Sequence, residues 1–412
     1  MNTWPRKLVA VTLVLVTSGT LIYRTWWLFL AAWITRNMPA DPAIYERAIQ
    51  YDPKNADYHF SLAQIYDYST QYLNPGRAGG EYETAVRLNP DRAAHWLELS
   101  KYYEQTGNVE RCRHAMETAL EKDPNFAQTH WAAANLYIRL NDLKAADFEL
   151  RRTADLDVSY LLQVLDVVWR FYADPDLIMS THVPNSKNAD LIALDYFVAK
   201  NSERGAALAW QKLKTFQTIP QERFKYVEYL VTLGKPNEAW QIFSYGLPAG
   251  DEGDTQDGTP RDGLIYNAGF EMEPVNGGFD WHFSSSEHSA ARIDRTTAKQ
   301  GLASFLVTFD GKENPDYAQL WHWLPVTKGR RYNLDFWMKT ESISTNEGVF
   351  IEVDGKVSEK QFGTTGWQQF TIPFTASSDL VTVRLRRVPS QKADNLLRGK
   401  VWLDAFSISA ES

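Results

Sequence analysis

Aromatic residues recur at every second position of a short segment near residue 320. The segment carries, in this spacing, Tyr317, Gln319, Trp321 and Trp323. A β-strand would send all of these side chains to one side, because its side chains alternate. Tryptophan rings can pack on the C–H groups of a sugar ring, and neighbouring amides and carboxylates can bind its hydroxyl groups. The pattern therefore indicates a candidate glycan-binding surface.

A second aromatic segment extends this candidate surface. Asp335 and Trp337 share one side of the next predicted strand. On the first strand, Leu320 and Leu324 belong inside a protein more often than glutamine and tryptophan do, so the tryptophan side is predicted to be outside. We therefore predict one glycan-binding face, formed by Gln319, Trp321, Trp323, Asp335 and Trp337. The alternative is that these tryptophans belong to the core of a β-sandwich.

No motif typical of catalysis accompanies these aromatics. The sequence has no glycine-rich phosphate loop, no Gly-x-Ser-x-Gly segment and no His-Glu-x-x-His segment. Its 412 residues include one cysteine, Cys112, which excludes an internal disulfide and a cysteine-based zinc site. The net charge of -8 argues against nucleic acid as a partner. We therefore expect a binding protein rather than an enzyme, with no required cofactor.

The segment 93–124 has the pattern of a helix, a turn and a second helix. Its first half carries an apolar stripe at helical spacing, formed by Trp96, Leu99, Ser100 and Tyr103. Gly107 ends the first helix and Pro124 follows the second. The same frame fits again at His59 and at His130. These residues resemble the tetratricopeptide repeat (TPR). The resemblance implies an all-α solenoid over 37–243, with more degenerate units at 190–213 and 223–243.

In proteins with such repeats, the first helix of each hairpin lines a concave surface that binds peptides. The resemblance therefore implies a protein partner and assigns the groove to Phe60, Gln64, Lys101, Gln105, Trp131, Asn135 and Arg139. Trp131 is the sharpest case, because His130 already fills the packing position beside it. A buried aromatic anchor contributes ~2 kcal/mol or more to peptide binding. The alternative is that Trp131 packs on a neighbouring helix, at 57–68 or 94–105.

The N-terminal segment, 1–36, is apolar enough to be a membrane anchor. Residues 8–23 carry no charge, follow Arg6 and Lys7, and are succeeded by further apolar residues beyond Arg24. About 20 apolar residues cross a bilayer, and tryptophans of the kind that follow here occur at lipid–water interfaces. A cleaved signal peptide is the alternative, but no small-x-small cleavage site follows the run. We therefore expect a single-pass membrane protein whose soluble part lies outside the cytoplasm, on the periplasmic side.

The composition changes after residues 244–263, where Gly, Pro, Asp and Thr indicate a flexible linker. In 264–412, short runs rich in Val, Ile, Phe, Tyr and Trp alternate with turn residues. Eight such runs predict strands, at 290–295, 302–309, 317–326, 331–340, 348–353, 367–375, 380–388 and 400–409. This spacing predicts an all-β jelly-roll sandwich. The chain is thus predicted to be multidomain: an N-terminal transmembrane helix, an all-α TPR-like solenoid and a C-terminal β-sandwich.

Five stretches of the predicted sandwich resemble the jelly-roll carbohydrate-binding modules attached to glycoside hydrolases. They are 267–271, 277–281, 332–339, 366–370 and 401–404. The resemblance implies a domain that binds glycan without cleaving it. In that family a structural calcium often joins the first acidic residue to the last aspartate, which implies a metal site at Glu271 and Asp404. Hard oxygen ligands suit this ion; a hydrogen-bonded pair without metal is the alternative.

The whole chain also resembles bacterial membrane-anchored TPR proteins that carry such a sandwich and whose role is linked to surface polysaccharide. The segments 343–349 and 398–404 carry this resemblance. It implies an anchored scaffold whose repeats bind a protein and whose sandwich binds polysaccharide or a second protein. The alternatives are a structural protein whose sandwich only caps the solenoid, and an accessory component of a glycan-processing enzyme.

Overall fold

The computed structural model describes residues 4–37, 41–246, 264–393 and 395–411. Helices occupy the N-terminal part of these ranges, and two antiparallel sheets occupy the C-terminal part. The predicted helical solenoid and β-sandwich are therefore confirmed. The chain divides into two compact units, Met1–Ala189 and Asp190–Ser412, so the second unit contains the last helices together with the sandwich. Residues 247–263 of the predicted linker lie outside the described residues.

The first helix, α1 (Trp4–Asn37), exposes apolar side chains on every side over most of its length. Its segment 8–29 is nearly all exposed and spans about 33 Å at a rise of 1.5 Å per residue, close to the ~30 Å hydrocarbon core of a bilayer. By length and composition, this helix could cross a membrane. Its end differs, because Ala31 and Ile34 are buried against Ala48 of α2 (Pro42–Tyr51).

Three helical hairpins correspond to the three repeats predicted between residues 56 and 157. They are α3 (Ala56–Tyr68) with α4 (Pro75–Leu88), α5 (Ala93–Gln105) with α6 (Val109–Lys122), and α7 (Ala127–Arg139) with α8 (Leu143–Leu156). Alanines, leucines and tyrosines at the frame positions form one core. Cys112 is fully buried in this core, where its small side chain packs like an alanine.

The same hydrogen bond ties the first helix of each hairpin to the turn before it. In each case a ring nitrogen contacts the carbonyl oxygen of the proline six residues earlier. The three contacts are His59 to Pro53 at 3.4 Å, Trp96 to Pro90 at 2.8 Å and His130 to Pro124 at 3.0 Å. Proline cannot continue the preceding helix, so the ring N–H provides a donor for a carbonyl at the end of the previous unit.

His130 makes a second, shorter contact. Its Nδ1 lies 2.5 Å from the carboxylate of Glu149 in α8, and both residues are buried. Both ring nitrogens of His130 therefore face oxygen acceptors, which favours the protonated imidazolium. The hydrogen bond from the ring to Glu149 raises the pKa of His130 above its ordinary value. This side chain thus joins α7 both to its partner helix and to the preceding turn.

The remaining helices continue the chain with less regular hairpins. They are α9 (Leu161–Tyr172), α10 (Pro175–Thr181), α11 (Lys187–Ala199), α12 (Glu203–Leu213), α13 (Phe224–Thr232) and α14 (Pro236–Ser244), with short 3-10 turns at Val158–Tyr160 and Pro220–Arg223. The pairs α11 with α12 and α13 with α14 lie at the two degenerate units that the sequence indicates. Arg223 is buried and its guanidinium donates to carbonyl oxygens of Ile242 and Tyr245, at the end of α14.

The sandwich consists of two antiparallel sheets. Its strands are β1 (Ser289–Asp294), β2 (Ser304–Asp310), β3 (Trp321–Pro325), β4 (Arg331–Ile343), β5 (Phe350–Val353), β6 (Lys356–Val357), β7 (Gly363–Thr375), β8 (Leu380–Arg386) and β9 (Arg398–Ala410). The five-stranded sheet has the order β1-β2-β9-β4-β7, and the four-stranded sheet has the order β3-β8-β5-β6. Each of the eight predicted runs overlaps one strand; only the short β6 was not predicted. Aromatic and branched aliphatic side chains from both sheets form the core.

The start of the sandwich packs directly on the last two helices. The ring of Phe243 in α14 lies 5.8 Å from that of Phe279 and 5.3 Å from that of Tyr266, centroid to centroid. Phe224 of α13 packs on the backbone of Gly277, where a Cβ would lie 2.2 Å from the ring. Helix and sandwich therefore share one continuous packing region within the second compact unit.

We expect His130→Phe to destabilise α7 and α8 by about 1–3 kcal/mol, because the buried Glu149 carboxylate loses its hydrogen-bond donor. Cys112, the only cysteine, lies in the core that these helices share. Faster labelling of its thiol by a maleimide reagent therefore reports the loss of stability. His59→Phe is the matched control, since His59 makes the same two contacts, with Pro53 and with Glu81 at 2.6 Å, but Glu81 is more exposed than Glu149 and water can replace the lost donor, so this variant should raise the rate less. Equal labelling of the His130 variant and the parent near pH 6 would contradict the assignment.

The effect of His130 should also depend on pH. Its folded-state pKa is raised, so its stabilising contribution is complete below the ordinary pKa of about 6.5 and is lost as pH rises through the folded-state pKa. The difference in labelling rate between His130→Phe and the parent, corrected for intrinsic thiol reactivity, should therefore decrease as the pH rises through the folded-state pKa, and the part that remains is the contribution of the single N–H of the neutral ring. A difference that grows with pH would show that His130 is held neutral.

Candidate functional site

The outer face of the four-stranded sheet carries Trp321 and Trp323, both half-buried. Between them, His322 is fully buried in the sandwich, so burial alternates along β3 as the sequence pattern indicates. Strand β8 lies beside β3, with Arg384 opposite Trp321 and Thr382 opposite Trp323. The pairing of these strands thus places two polar side chains next to two indole rings.

Neighbouring aromatic rings hold the two indoles in place. The imidazole of His282 stacks on Trp321, with ring centroids 3.7 Å apart and planes 13° from parallel. Phe279 contacts Trp323 edge-on at 5.8 Å, and the two indole rings lie 5.4 Å apart. Burial lowers the pKa of His282, which is therefore neutral at neutral pH. Because His282 covers one face of Trp321, only the other face and the edge of that ring are available to a ligand.

A pocket of about 260 Å³ opens beside these rings, lined by Ala318, Trp321, Trp323, Thr382 and Arg384. Pockets of roughly 300–1,000 Å³ hold drug-sized ligands, so this one matches a ligand of monosaccharide size. Gln319 is half-buried on the adjoining segment, and its carboxamide oxygen accepts from the backbone N–H of Ala318 at 2.9 Å. The pocket therefore places polar groups beside two indole rings, a combination that sugar recognition uses.

The structure does not bring the five predicted glycan-binding residues together. Asp335 and Trp337 lie on β4, which belongs to the five-stranded sheet, and their side chains point away from the buried Phe336. The outer faces of two sheets packed face to face point in opposite directions. The prediction that these two residues share a face with Trp321 and Trp323 is therefore wrong. The chain passes from one sheet to the other between β3 and β4, a crossing that alternation along each strand does not reveal.

Trp337 and Asp335 have contacts of their own. The Nζ of Lys299 lies 3.8 Å from the ring centroid of Trp337, a favourable contact between a cation and an aromatic face. The carboxylate of Asp335 accepts a hydrogen bond from the hydroxyl of Thr371. Tyr317, which the sequence pattern puts on the same side as Trp321, is buried because regular alternation begins only at β3.

Glu271 and Asp404 hold the same loop. The carboxylate of Glu271 accepts from the backbone N–H of Leu302 at 2.9 Å, and that of Asp404 accepts from Lys299 and Gln300 at 2.6 and 3.0 Å. Burial raises the pKa of Asp404. Calcium takes about six to eight oxygen ligands, and the described residues contain no cluster of three or more metal-ligating side chains. Glu271 and Asp404 alone are an incomplete calcium site; the calcium ion that the resemblance implies is untested, and the contacts to backbone N–H groups favour the alternative without metal.

The predicted groove residues lie on α3, α5 and α7, the first helices of the three hairpins. Gln105 and Arg139 are exposed, and the others, Phe60, Gln64, Lys101, Trp131 and Asn135, are half-buried. Several already have partners on neighbouring helices. Arg139 contacts both carboxylate oxygens of Glu104, at 2.5 and 2.8 Å, and Phe60 stacks on His95 with centroids 4.6 Å apart. These contacts join adjacent first helices to each other.

Trp131 is partly covered by the chain itself. Its ring lies 6.0 Å from that of Tyr160, in the 3-10 turn that follows α8. Asn135 donates to the backbone carbonyl of Trp131 at 2.7 Å. The ring contact comes from the segment after the hairpin and involves neither 57–68 nor 94–105. Lys101 pairs with Glu98 on its own helix at 2.6 Å.

Five residues of the candidate surface were not predicted from the sequence: Phe279, His282, Ala318, Thr382 and Arg384. The last two had a local signal, because polar residues alternate with apolar ones along 380–386. That signal shows that they face outward, but not that their strand pairs with β3. His282 joins β3 through an isolated bridge to Trp321, and it had no periodic signal.

Comparisons with known proteins match parts of the chain. No family model and no curated protein matches it. The match to a solved structure described as "CBM4 structure and function" covers 36% of this chain and 100% of the chain in that structure, at 14% identity and a TM-score of 0.26. The TPR protein YrrB, described with an unusual peptide-binding site, covers 42% of this chain and 92% of its own, at 17% identity and a TM-score of 0.28. PilF of Pseudomonas aeruginosa covers 56% and 95%, at 11% identity and a TM-score of 0.30. Similarities this low assign no function.

We expect the same thermal midpoint in calcium and in EDTA, because backbone N–H groups already stabilise the carboxylates of Glu271 and Asp404. Asp404→Asn should lower the midpoint in both solutions, since an amide nitrogen cannot accept the N–H of Lys299 or Gln300. Asp335→Asn, on the outer face of the same sheet, is the control. Calcium-dependent stabilisation of the parent that Asp404→Asn abolishes would establish a metal site instead.

Proposed function

We propose that this chain is a membrane-anchored scaffold without enzymatic activity of its own. In this proposal, the solenoid binds a protein partner, and the outer face of the four-stranded sheet binds glycan. The observation that carries the glycan part is the pocket beside Trp321 and Trp323. The proposed setting is surface polysaccharide assembly at the periplasmic side of a membrane.

The geometry of the two indoles supports ligand binding over core packing. Both rings stand on the outer face of the sheet and are fixed by His282 and Phe279. Exposed aromatic surface lowers solubility unless a ligand or another surface covers it. Rings that are already held in place lose little conformational entropy when they bind. A monosaccharide-sized pocket beside such rings favours a sugar unit as the occupant.

The solenoid supports the scaffold part of the proposal. Its first helices present half-buried and exposed polar groups beside the partly open ring of Trp131. The ion pair between Arg139 and Glu104 joins two of these helices. Such a surface suits an extended or helical peptide segment, with Trp131 as the aromatic anchor.

Helix α1 supports the anchor part of the proposal. Its exposed apolar segment matches the thickness of a bilayer, and its last turns pack on α2. In this arrangement the first solenoid helix would lie close to the membrane surface.

A purely structural role for the sandwich is the second candidate. The observation that favours it is the packing of Phe243 and Phe224 against the start of the sandwich. In that case the sandwich would cover the end of the helical array, and its outer tryptophans would have no ligand. The two candidates make different predictions for Trp321.

We expect Trp321→Ala to abolish retention of the detergent-solubilised full chain in native gels that contain polysaccharide. Trp337→Ala is the matched control, because it removes an outer-face indole from the other sheet and should leave retention intact. Stacking is weak per ring, so we expect micromolar to millimolar affinity, about -4 to -8 kcal/mol. Both variants should keep the thermal midpoint of the parent. Retention of Trp321→Ala equal to that of the parent would favour the structural role.

The proposed orientation predicts the behaviour of a reporter that fluoresces only in the cytoplasm. Fused after Ser412, it should stay dark in bacterial cells, because the soluble part would have crossed the membrane. The control is the same fusion without residues 1–37, which should fluoresce. Bright cells with the full-length fusion would place the soluble part inside the cytoplasm and rule out a periplasmic role.

A further inference from the structure

Arg384 is a half-buried cation on the pocket wall, and its guanidinium has neither a hydrogen bond nor an ion pair with any described residue. Its strand, β8, lies between β3 and β5, so Trp321 is its neighbour on one side and Glu352 on the other. A guanidinium with five N–H donors is rarely left without acceptors in such a position. Its acceptor therefore has to come from solvent or from a ligand.

The nearby acidic groups are committed elsewhere. Arg386, two residues along β8, lies 3.2 Å from the carboxylate of Glu352 and 3.1 Å from that of Asp316. One guanidinium thus takes both carboxylates, and the other, Arg384, takes neither. The charge of Arg384 is therefore not neutralised by an ion pair on this face.

Several other polar groups beside the pocket can donate hydrogen bonds. Among the described residues, the indole N–H groups of Trp321 and Trp323 and the hydroxyl of Thr382 have no hydrogen-bond partner. The carboxamide oxygen of Gln319 is already occupied by the N–H of Ala318, which leaves its NH₂ group free. A pocket with a positive charge and several N–H donors fits a ligand that carries negative charge and oxygen acceptors.

We propose that this pocket binds a sugar residue that bears a carboxylate, such as a uronic acid unit of an acidic polysaccharide. This inference rests on the proposed glycan-binding function and names the class of glycan. The guanidinium of Arg384 pairs its two parallel N–H groups with the two carboxylate oxygens, a geometry that lysine cannot reproduce. The pyranose ring packs against the indoles of Trp321 and Trp323, which His282 and Phe279 hold in place.

The overall charge of the protein makes this binding selective. The chain carries a net charge of -8, which repels an acidic polymer at long range. Retention of such a polymer therefore requires a local positive site rather than general attraction. Because salt screens exposed charges more than partly buried ones, binding at Arg384 should survive 0.15 M salt.

The test uses the detergent-solubilised full chain in native gels that contain polygalacturonate or alginate, with carboxyl-reduced polygalacturonate as the neutral counterpart. We expect retention by at least one acidic polymer and little by the reduced one. Arg384→Gln should weaken that retention about 10-fold or more, since hydrogen bonds to charged groups are lost, and Arg384→Lys should restore only part of it. Arg292→Gln is the matched control, because it removes the same charge from an exposed site on β1 and should have no effect.

The outcomes separate this inference from the function on which it rests. Equal retention by polygalacturonate and its reduced form, lost in Trp321→Ala but not in Arg384→Gln, would keep glycan binding and overturn the carboxylate assignment. Equal weakening by Arg384→Gln and Arg292→Gln would show general charge attraction and also overturn it. If neither polygalacturonate nor alginate retains the protein, the carboxylate assignment is overturned. If no polysaccharide retains it, neutral or acidic, both proposals are overturned.

Discussion

The carbonyl group of a proline is the constraint around which each helical hairpin is arranged. Proline ends the preceding unit, and a ring N–H six residues later meets its carbonyl oxygen at His59, Trp96 and His130. This contact sets where the next helix begins relative to the turn. Repeated in three hairpins, it gives the first helices equivalent starting points, and an ion pair between Arg139 and Glu104 joins two of those helices, α5 and α7.

Much of the secondary structure can be predicted from the sequence, because it depends on local patterns. Helical stripes and strand alternation depend on neighbours a few residues away, so the three hairpins and eight of the nine strands could be predicted. His59 and His130 fit the same frame position as Trp96 because a ring N–H is the shared requirement there. Alternation does not reveal which of the two sheets a strand joins, because the chain passes from one sheet to the other between strands. Trp337 has the alternation of an outer-face residue but stands on the opposite sheet from Trp321.

The candidate site shows the same limit. Trp321 and Trp323 could be predicted from alternation, whereas His282 and Arg384 reach them from segments about 40 residues before and 60 residues after. Such pairing is decided by hydrogen-bond register between distant strands. The charge of the pocket is also non-local, because the carboxylates of Glu352 and Asp316 pair with Arg386 and not with Arg384.

The contact between the last helices and the sandwich has a consequence for the order of folding during synthesis. Phe224 and Phe243 leave the ribosome before Gly277 and Phe279, the residues that cover their rings. At ~5–20 residues per second, the helical pair spends seconds with two aromatic side chains uncovered. The end of the solenoid therefore matures only after the start of the sandwich has been translated, and a nascent chain stalled within the region between them is a natural substrate for chaperones.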